Sequence, residues 1–135
     1  MKNSLIVFTL SLFAVLSVIT HSCSTVEYSQ GRELYNYYCS SCHLESGQGL
    51  RSLYPPLANS DYLAKFNETV PCIIREGMEG QIKVNGKEYE MPMPAMPKIT
   101  AFEITNIMNY INHNFGNDLP FVKFVDVKAK LEECK

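Results

Sequence analysis

Two cysteines and a histidine lie within five positions of one another in the stretch NYYCSSCHLESGQG, residues 36–49. Cys39 and Cys42 are separated by two residues, and His43 follows directly. A C-x-x-C-H run of this kind can support three kinds of chemistry: a redox dithiol, part of a zinc site, or covalent attachment of a haem.

Haem attachment fits this motif most directly. Two thiols one helical turn apart can add to the two vinyl groups of a haem, and the next residue then places an imidazole at the iron. A thioredoxin-like dithiol expects a preceding strand, whereas a helical, tyrosine-rich segment precedes this motif. Zinc needs about four ligands, and Cys72, His113 and Cys134 show no paired spacing. We predict one covalent haem c, and the dithiol and zinc sites remain alternatives.

A second axial ligand is available in the proline-rich stretch YEMPMPAMPKIT. Met91, Met93 and Met96 are each followed by proline, which restricts the backbone and can hold a thioether toward the iron at little cost in chain entropy. The alternative is that these methionines fill gaps in the core. No Ser-His-Asp set or carboxylate pair stands out, so we do not expect an enzyme.

Helical periodicity and capping signals predict an all-α protein with one small hairpin. Asn85-Gly86 between two short β-type runs predicts the hairpin. The first predicted helix is Ser29–Tyr38, and two short helices follow, one capped by Ser60 and one capped by Thr69 and ended by Gly77. A long helix is opened by a capping box at Thr100 and Glu103 and closed by Gly116, and Asp126 caps a last helix that runs to Cys134.

The first residues have the pattern of an export signal. Lys2 is followed by an almost wholly apolar run of 15 residues, Leu5 to Ile19. That run is short for a membrane span, which needs about 20 residues. We predict a signal peptide over residues 1–22, with a retained membrane anchor as the alternative.

The stretch ITHSCS resembles the site at which bacterial lipoproteins are cut before a cysteine that receives lipid. Cys23 occupies that cysteine's place and polar residues follow it, although Thr20 and His21 depart from the usual pattern. The resemblance implies a lipid anchor on Cys23, a linker over residues 23–28 and a location on the periplasmic side of a bacterial membrane. The alternative is an ordinary signal peptide with a cysteine near the cut.

Length and charge limit the remaining possibilities. The chain has 135 residues, which suits one domain, here predicted for residues 29–135. The net charge is -2 and there is no basic run, so the sequence gives no support for a nucleic-acid partner.

The stretch GRELYNYYCSSCH is similar to the opening helix and haem motif of class I, single-domain cytochromes c. Gly31 and Tyr35 stand before the motif as in that family, and Tyr110 in IMNYINHNFG matches the family's aromatic residue on the last helix. The resemblance covers residues 29–116. It implies the cytochrome c fold, in which the N- and C-terminal helices cross near Gly31, and makes the tail from about residue 117 an extension.

The same resemblance implies a set of residues around the haem. GQGLRSLYPPLAN resembles the loop on the histidine side, where Pro55 would offer its carbonyl to the free ring nitrogen of His43. Counting back from Ile99-Thr100 by the family's usual spacing makes Met93 the distal ligand, with Met96 and Met91 as alternates. EGQIKVNGKEYE resembles a hairpin inserted before that methionine.

The two remaining thiols can form one disulfide. If Cys23 carries lipid and the motif carries haem, Cys72 and Cys134 are left from the five cysteines of the chain. A bond between them would hold the extension to the body. The alternative is two unrelated thiols.

The resemblance implies a one-electron carrier between respiratory redox proteins of the cell envelope. The implied partners are a quinol-oxidising complex or a dehydrogenase on one side and a terminal oxidase or reductase on the other. Two alternatives remain: a gas-binding or gas-sensing haem protein with a labile distal ligand, and a thiol-disulfide oxidoreductase if no haem is attached.

Overall fold

The computed structural model describes residues 28–134 of the chain. The predicted signal peptide, residues 1–22, and the predicted lipid site, Cys23, lie outside the described residues. Within the described part, no helix has both the length and the apolar character needed to cross a membrane.

The described residues form an all-α fold with one two-stranded hairpin, which confirms the predicted fold class. The elements are α1 Ser29–Tyr38, α2 Ser40–His43, α3 Asp61–Phe66, a 3-10 turn Asn67–Thr69, α4 Val70–Glu76, β1 Ile82–Val84, β2 Lys87–Tyr89, α5 Ala101–Asn112 and α6 Phe124–Glu133.

α1 and α5 cross in close contact at Gly31. A Cβ atom at this position would overlap the backbone carbonyl of Asn106 and would lie 2.7 Å from the Cβ of Tyr110. One turn later the buried ring of Tyr35 packs against Tyr110 and Phe115, at centroid distances of 5.5 and 5.2 Å. The predicted crossing at Gly31 is confirmed, because only a residue without a side chain fits there.

The predicted capping box opens α5. The Thr100 hydroxyl accepts from the Glu103 amide at 3.2 Å, and the Glu103 carboxylate accepts from the Thr100 amide at 2.8 Å. This pair satisfies two amides that the first turn would leave without partners. The helix then buries an apolar face formed by Ile104, Ile107, Met108 and Ile111.

The predicted end of α5 at Gly116 is wrong, because the helix ends at Asn112. His113 is the C-cap, and its Nδ1 lies 2.9 Å from the Asn109 carbonyl. Phe115 and Gly116 then have φ values of 59° and 79°, so they form the turn that leads the chain away from the helix.

Ser60 caps α3 as predicted, since its hydroxyl accepts from the Leu63 amide at 3.2 Å. Two other predicted helix starts need correction. The Thr69 hydroxyl instead donates to the Phe66 carbonyl at 2.8 Å, because residues 67–69 already form a helical turn. Asp126 is not a cap either. It lies in the first turn of α6, where a carboxylate interacts favourably with the helix dipole.

The hairpin forms where Asn85-Gly86 predicts it. Both residues have positive φ values, 49° and 80°, as a two-residue hairpin turn requires. The hairpin is fixed to α3 by two reciprocal bonds: the Asn85 amide donates to the Asp61 carboxylate at 2.7 Å, and the Asp61 amide donates to the Asn85 side-chain oxygen at 3.0 Å. Within the hairpin, the side chains of Val84 in β1 and Tyr89 in β2 are buried.

Two buried asparagines of α5 hold the C-terminal extension against the helix. The Asn109 side chain donates to the Val122 carbonyl at 2.9 Å and accepts from the Val122 amide at 2.8 Å. Asn112 donates to the Pro120 carbonyl at 3.0 Å. These side-chain bonds satisfy backbone groups that have no partner in a helix or sheet, and they fix the path of a segment that has no regular structure.

A disulfide joins the end of the extension to α4. Cys72 and Cys134 are bonded in the structure, with a sequence separation of 62 residues. Val127 of α6 is buried in the hydrophobic core. The extension is therefore held at its start by asparagines and at its end by a covalent bond.

We expect Gly31→Ala to destabilise the folded protein by about 1–3 kcal/mol, the usual cost of inserting an atom into a filled contact. The added methyl group would press on the Asn106 carbonyl and the Tyr110 side chain. Denaturant unfolding of the haem-loaded protein measures the change. Gln30→Ala is the matched control, because Gln30 is exposed on the same helix. An unfolding free energy for Gly31→Ala equal to that of the control would contradict the close crossing.

We expect the double substitution Cys72→Ser/Cys134→Ser to lower the free energy of unfolding by about 2–5 kcal/mol, because the unfolded chain regains the freedom of a long loop. Guanidinium unfolding, followed by haem absorbance and by far-ultraviolet circular dichroism, measures the loss. A change within about 0.5 kcal/mol, typical of an exposed substitution, would show that the bond contributes nothing to the domain.

Candidate functional site

The C-x-x-C-H motif forms a tight helical turn at the end of α1. The Cys39 amide donates to the Tyr35 carbonyl at 2.8 Å, and the His43 amide donates to the Cys39 carbonyl at 3.0 Å. The turn places the thiols of Cys39 and Cys42 in the wall of one cleft, and both are free. Because Tyr35 is fixed in the α1–α5 crossing, the crossing also fixes where these thiols lie.

The imidazole of His43 is oriented by the loop that follows it. Its Nδ1 lies 3.0 Å from the Pro55 carbonyl oxygen, so the tautomer protonated at Nδ1 donates to Pro55 and leaves Nε2 free to bind a metal. Burial lowers the pKa of His43, and the hydrogen bond to Pro55 partly opposes that shift. The ring is therefore held neutral, which is the form that binds iron.

The cleft itself is lined mainly by apolar side chains. Ile107 and Ile111 of α5 form one side, and residues of α3, α4 and the hairpin form others. Two thiols, an imidazole and several thioethers line the same cleft. This chemistry fits a flat, apolar macrocycle that carries a central iron, because sulfur and imidazole are the ligands used to hold haem.

The three candidate methionines all line the cleft, but they are held differently. The Met93 amide donates to the Met78 carbonyl at 2.9 Å, and the Met78 amide donates back at 3.0 Å. The Met96 amide contacts the carbonyls of Ile74 and Arg75 at 3.2 and 3.1 Å. Met91 is 46% exposed.

Sequence reasoning missed a fourth methionine of the cleft. Met78 pairs with Met93 through the backbone, and its sulfur lies 3.6 Å from the Tyr62 hydroxyl, which donates to it. Met78 follows directly on Gly77, outside the proline-rich stretch. The only local signal was a methionine just after a helix-ending glycine, which does not by itself predict a place in the cleft.

The geometry argues against the dithiol and zinc alternatives. Burial, aided by the proximity of Cys42, raises the pKa of the Cys39 thiol to about 12, whereas a redox dithiol needs a nucleophilic thiol with a lowered pKa. Among residues 28–134, no group of three or more histidine, cysteine or carboxylate side chains could hold a metal ion. Cys72 and Cys134 are used in the disulfide.

Comparisons with known proteins agree with this chemistry. The Cytochrome c family model matches residues 28–114. Cytochrome c-552 of Thermus thermophilus is 31% identical over 93 residues, which are 66% of this chain and 70% of that protein. The cytochrome c subunit of an alcohol dehydrogenase (quinone) of Gluconacetobacter polyoxogenes is 29% identical over 93 residues, 67% of this chain and 19% of that subunit.

A further cytochrome c subunit of an alcohol dehydrogenase (quinone), from Gluconobacter oxydans, is 23% identical over 91 residues, again 67% of this chain and 19% of the subunit. The match thus spans about a fifth of the length of these dehydrogenase subunits. The protein is an electron carrier with covalently bound haem c, and electron transfer in this family needs no enzymatic step. The chain belongs to the cytochrome c family, as a single-haem c-type cytochrome domain.

Proposed function

We propose that Cys39 and Cys42 bind the haem covalently and that His43 and Met93 are the axial ligands of its iron. The observation that carries this proposal is that the C-x-x-C-H turn and the proline-rich stretch line one and the same apolar cleft. When bound, the haem supplies one-electron chemistry at its iron. The chain's own residues then hold, orient and shield that group.

Met93 is the best supported distal ligand among the three candidates. Its backbone is held in both directions by Met78, so its side chain starts from a fixed point. Pro92 and Pro94 flank it and restrict the chain further. Nearly half of the Met91 side chain is exposed, which argues against a ligand that must reach the iron inside the cleft.

On the His43 side of the haem, Pro55 affects how strongly the axial histidine binds the iron. Its carbonyl accepts the Nδ1 proton of His43 at 3.0 Å, which fixes the ring orientation and raises the basicity of the ligating nitrogen. Met/His ligation raises the reduction potential relative to two histidines. A stiff histidine loop and a proline-flanked methionine also keep ligand movement small when the electron moves.

The location of the protein in the cell and the identity of its redox partners are also proposals. Residues 1–22 act as a signal peptide, and lipid on Cys23 tethers the protein on the periplasmic side of a bacterial membrane. The electron donor is a quinol-oxidising complex or a dehydrogenase, and the acceptor is a terminal oxidase or reductase. Similarity to cytochrome c subunits of quinone alcohol dehydrogenases supports a dehydrogenase as one partner.

We expect Met93→Ala to lose the sulfur-to-iron charge-transfer band of the oxidised protein, because the thioether that supplies the band is removed. Optical spectra of oxidised and reduced protein, made together with the cytochrome c maturation machinery, measure this. Met91→Ala and Met96→Ala are matched controls that should keep the band. If Met93→Ala keeps the band and one of the two controls loses it, the methionine replaced in that control is the distal ligand.

The native protein should not bind carbon monoxide in its reduced form, because both axial positions are filled. Met93→Ala should bind it and show a shifted reduced spectrum. Carbon monoxide binding by the native protein at similar affinity would favour the gas-binding alternative over the electron carrier.

We expect Cys23→Ala to lose the lipid and also the cut before residue 23, without loss of haem, because the same cysteine is the lipid site and the cleavage site. The variant should therefore keep residues 1–22, whereas the native protein should begin at a lipid-bearing Cys23. Cell fractionation with haem staining locates the protein, and mass spectrometry of the N-terminal peptide detects the lipid. A native protein whose N-terminal peptide still contains residues 1–22 and carries no lipid would indicate a retained signal anchor instead.

A further inference from the structure

The start of the extension exposes an apolar surface that the haem cleft does not use. Phe121, Phe124 and Val125 are 61%, 44% and 64% exposed. They lie next to one another in sequence, at the N-terminal end of α6. Single exposed apolar residues are normal, whereas two phenylalanines and a valine within five positions form a candidate contact surface.

This surface lies beside the point where the described chain begins. The ring of Tyr28 stacks on His113 at 5.0 Å, and His113 contacts the ring of Phe121 at 6.5 Å. Cys23 precedes Tyr28 by five residues. Extended residues span at most ~3.6 Å each, so Cys23 lies within about 18 Å of Tyr28. Lipid on Cys23 would therefore bring the bilayer surface close to Phe121.

The charges around this surface suit an anionic lipid interface. Lys123 and Lys128 are exposed next to the apolar residues, and Lys128 follows Phe124 by one helical turn. Asp126 is exposed on the other flank of α6, and Glu132 lies two turns farther along the helix. The start of α6 thus combines exposed aromatic side chains with two lysines and one carboxylate, Asp126. Aromatic and cationic side chains stand together in this way at membrane surfaces.

The haem cleft lies on a different side of α5. Ile107 lines the cleft, whereas Asn109 holds the extension through Val122. These two positions are ~200° apart around a helix. A bilayer against the extension would therefore leave the cleft facing away from it.

We propose that Phe121, Phe124 and Val125, with Lys123 and Lys128, form a membrane-contact face that lies on the lipid surface next to the Cys23 anchor. The proposal rests on the anchor proposed above. The face fixes the orientation of the tethered domain, so that the cleft is presented to partners in the aqueous phase. A lipid surface is the favoured occupant because the anchor and the face are joined by so short a linker.

Site-directed spin labelling tests this orientation. Haem attachment, the disulfide and lipid on Cys23 would use all five native cysteines, so a cysteine introduced by Val125→Cys is the only reactive thiol. The lipidated holoprotein is labelled and reconstituted in vesicles of phosphatidylethanolamine and phosphatidylglycerol. Collision with oxygen reports lipid, and collision with a water-soluble nickel chelate reports water. Tyr37→Cys, at a position 80% exposed on α1, is the matched control.

We expect the Val125 label to be reached by oxygen and protected from the chelate, and the Tyr37 label to show the reverse. Equal chelate access at the two positions in lipidated, vesicle-bound protein would overturn the membrane-contact face and leave the anchor intact. Absence of lipid on Cys23 by mass spectrometry would overturn the anchor and this face together, while the electron-carrier function would stand.

A second variant separates apolar contact from simple proximity. Phe121→Ser/Phe124→Ser, combined with Val125→Cys, should lose the protection from the chelate and keep the native haem spectrum. Leu50→Ser/Leu53→Ser, which alters two other exposed apolar side chains, should keep the protection. Protection retained in the phenylalanine variant would overturn the proposal that these side chains contact lipid.

Discussion

The structure depends on the contact between α1 and α5 at Gly31. Because no side chain separates the two backbones there, Tyr35 is driven into the pocket formed by Tyr110 and Phe115. Its hydroxyl donates to the Leu44 carbonyl at 2.7 Å, just after the haem motif. Burial raises the pKa of Tyr35 and keeps that hydroxyl protonated as a donor. One crossing therefore positions both ends of the C-x-x-C-H turn.

The cleft follows from that crossing and from two loops that fix its sides. The Pro55 loop holds the imidazole of His43, and the backbone pair of Met78 and Met93 holds the thioether side. Neither loop has regular secondary structure of any length, so each is held by a few specific hydrogen bonds. The arrangement suits an electron carrier, which needs rigidly held ligands and an apolar environment around the haem. Electron transfer requires no side chain that donates or accepts a proton.

Local signals predicted the parts of this fold that local energetics decide. The capping box of α5, the Ser60 cap and the turn at Asn85-Gly86 each satisfy backbone groups within a few residues, so the sequence shows them directly. Thr69 and Asp126 have the residue types of helix caps, but neither side chain caps a helix. In each case the helical turn had already begun, through a 3-10 turn at residues 67–69 and at Phe124.

Contacts between distant segments left no such signal. The place of Met78 in the cleft depends on its pairing with Met93, fifteen residues later. The buried side chains of Asn109 and Asn112 hold the extension, but in the sequence they look like ordinary polar positions of a helix. Such residues are recognised only when the tertiary partner is known, because their pattern has no period or spacing of its own.

The most direct test of the haem site is the proton NMR spectrum of the reduced holoprotein with its methionine methyl groups labelled with carbon-13. A methyl group on an iron-bound sulfur lies over the macrocycle, whose ring current shifts its resonance far upfield. We predict one such methyl, assigned to Met93, with a contact to the Met78 segment. No upfield methyl, or one assigned to Met78, Met91 or Met96, would contradict the ligand set that the cleft implies.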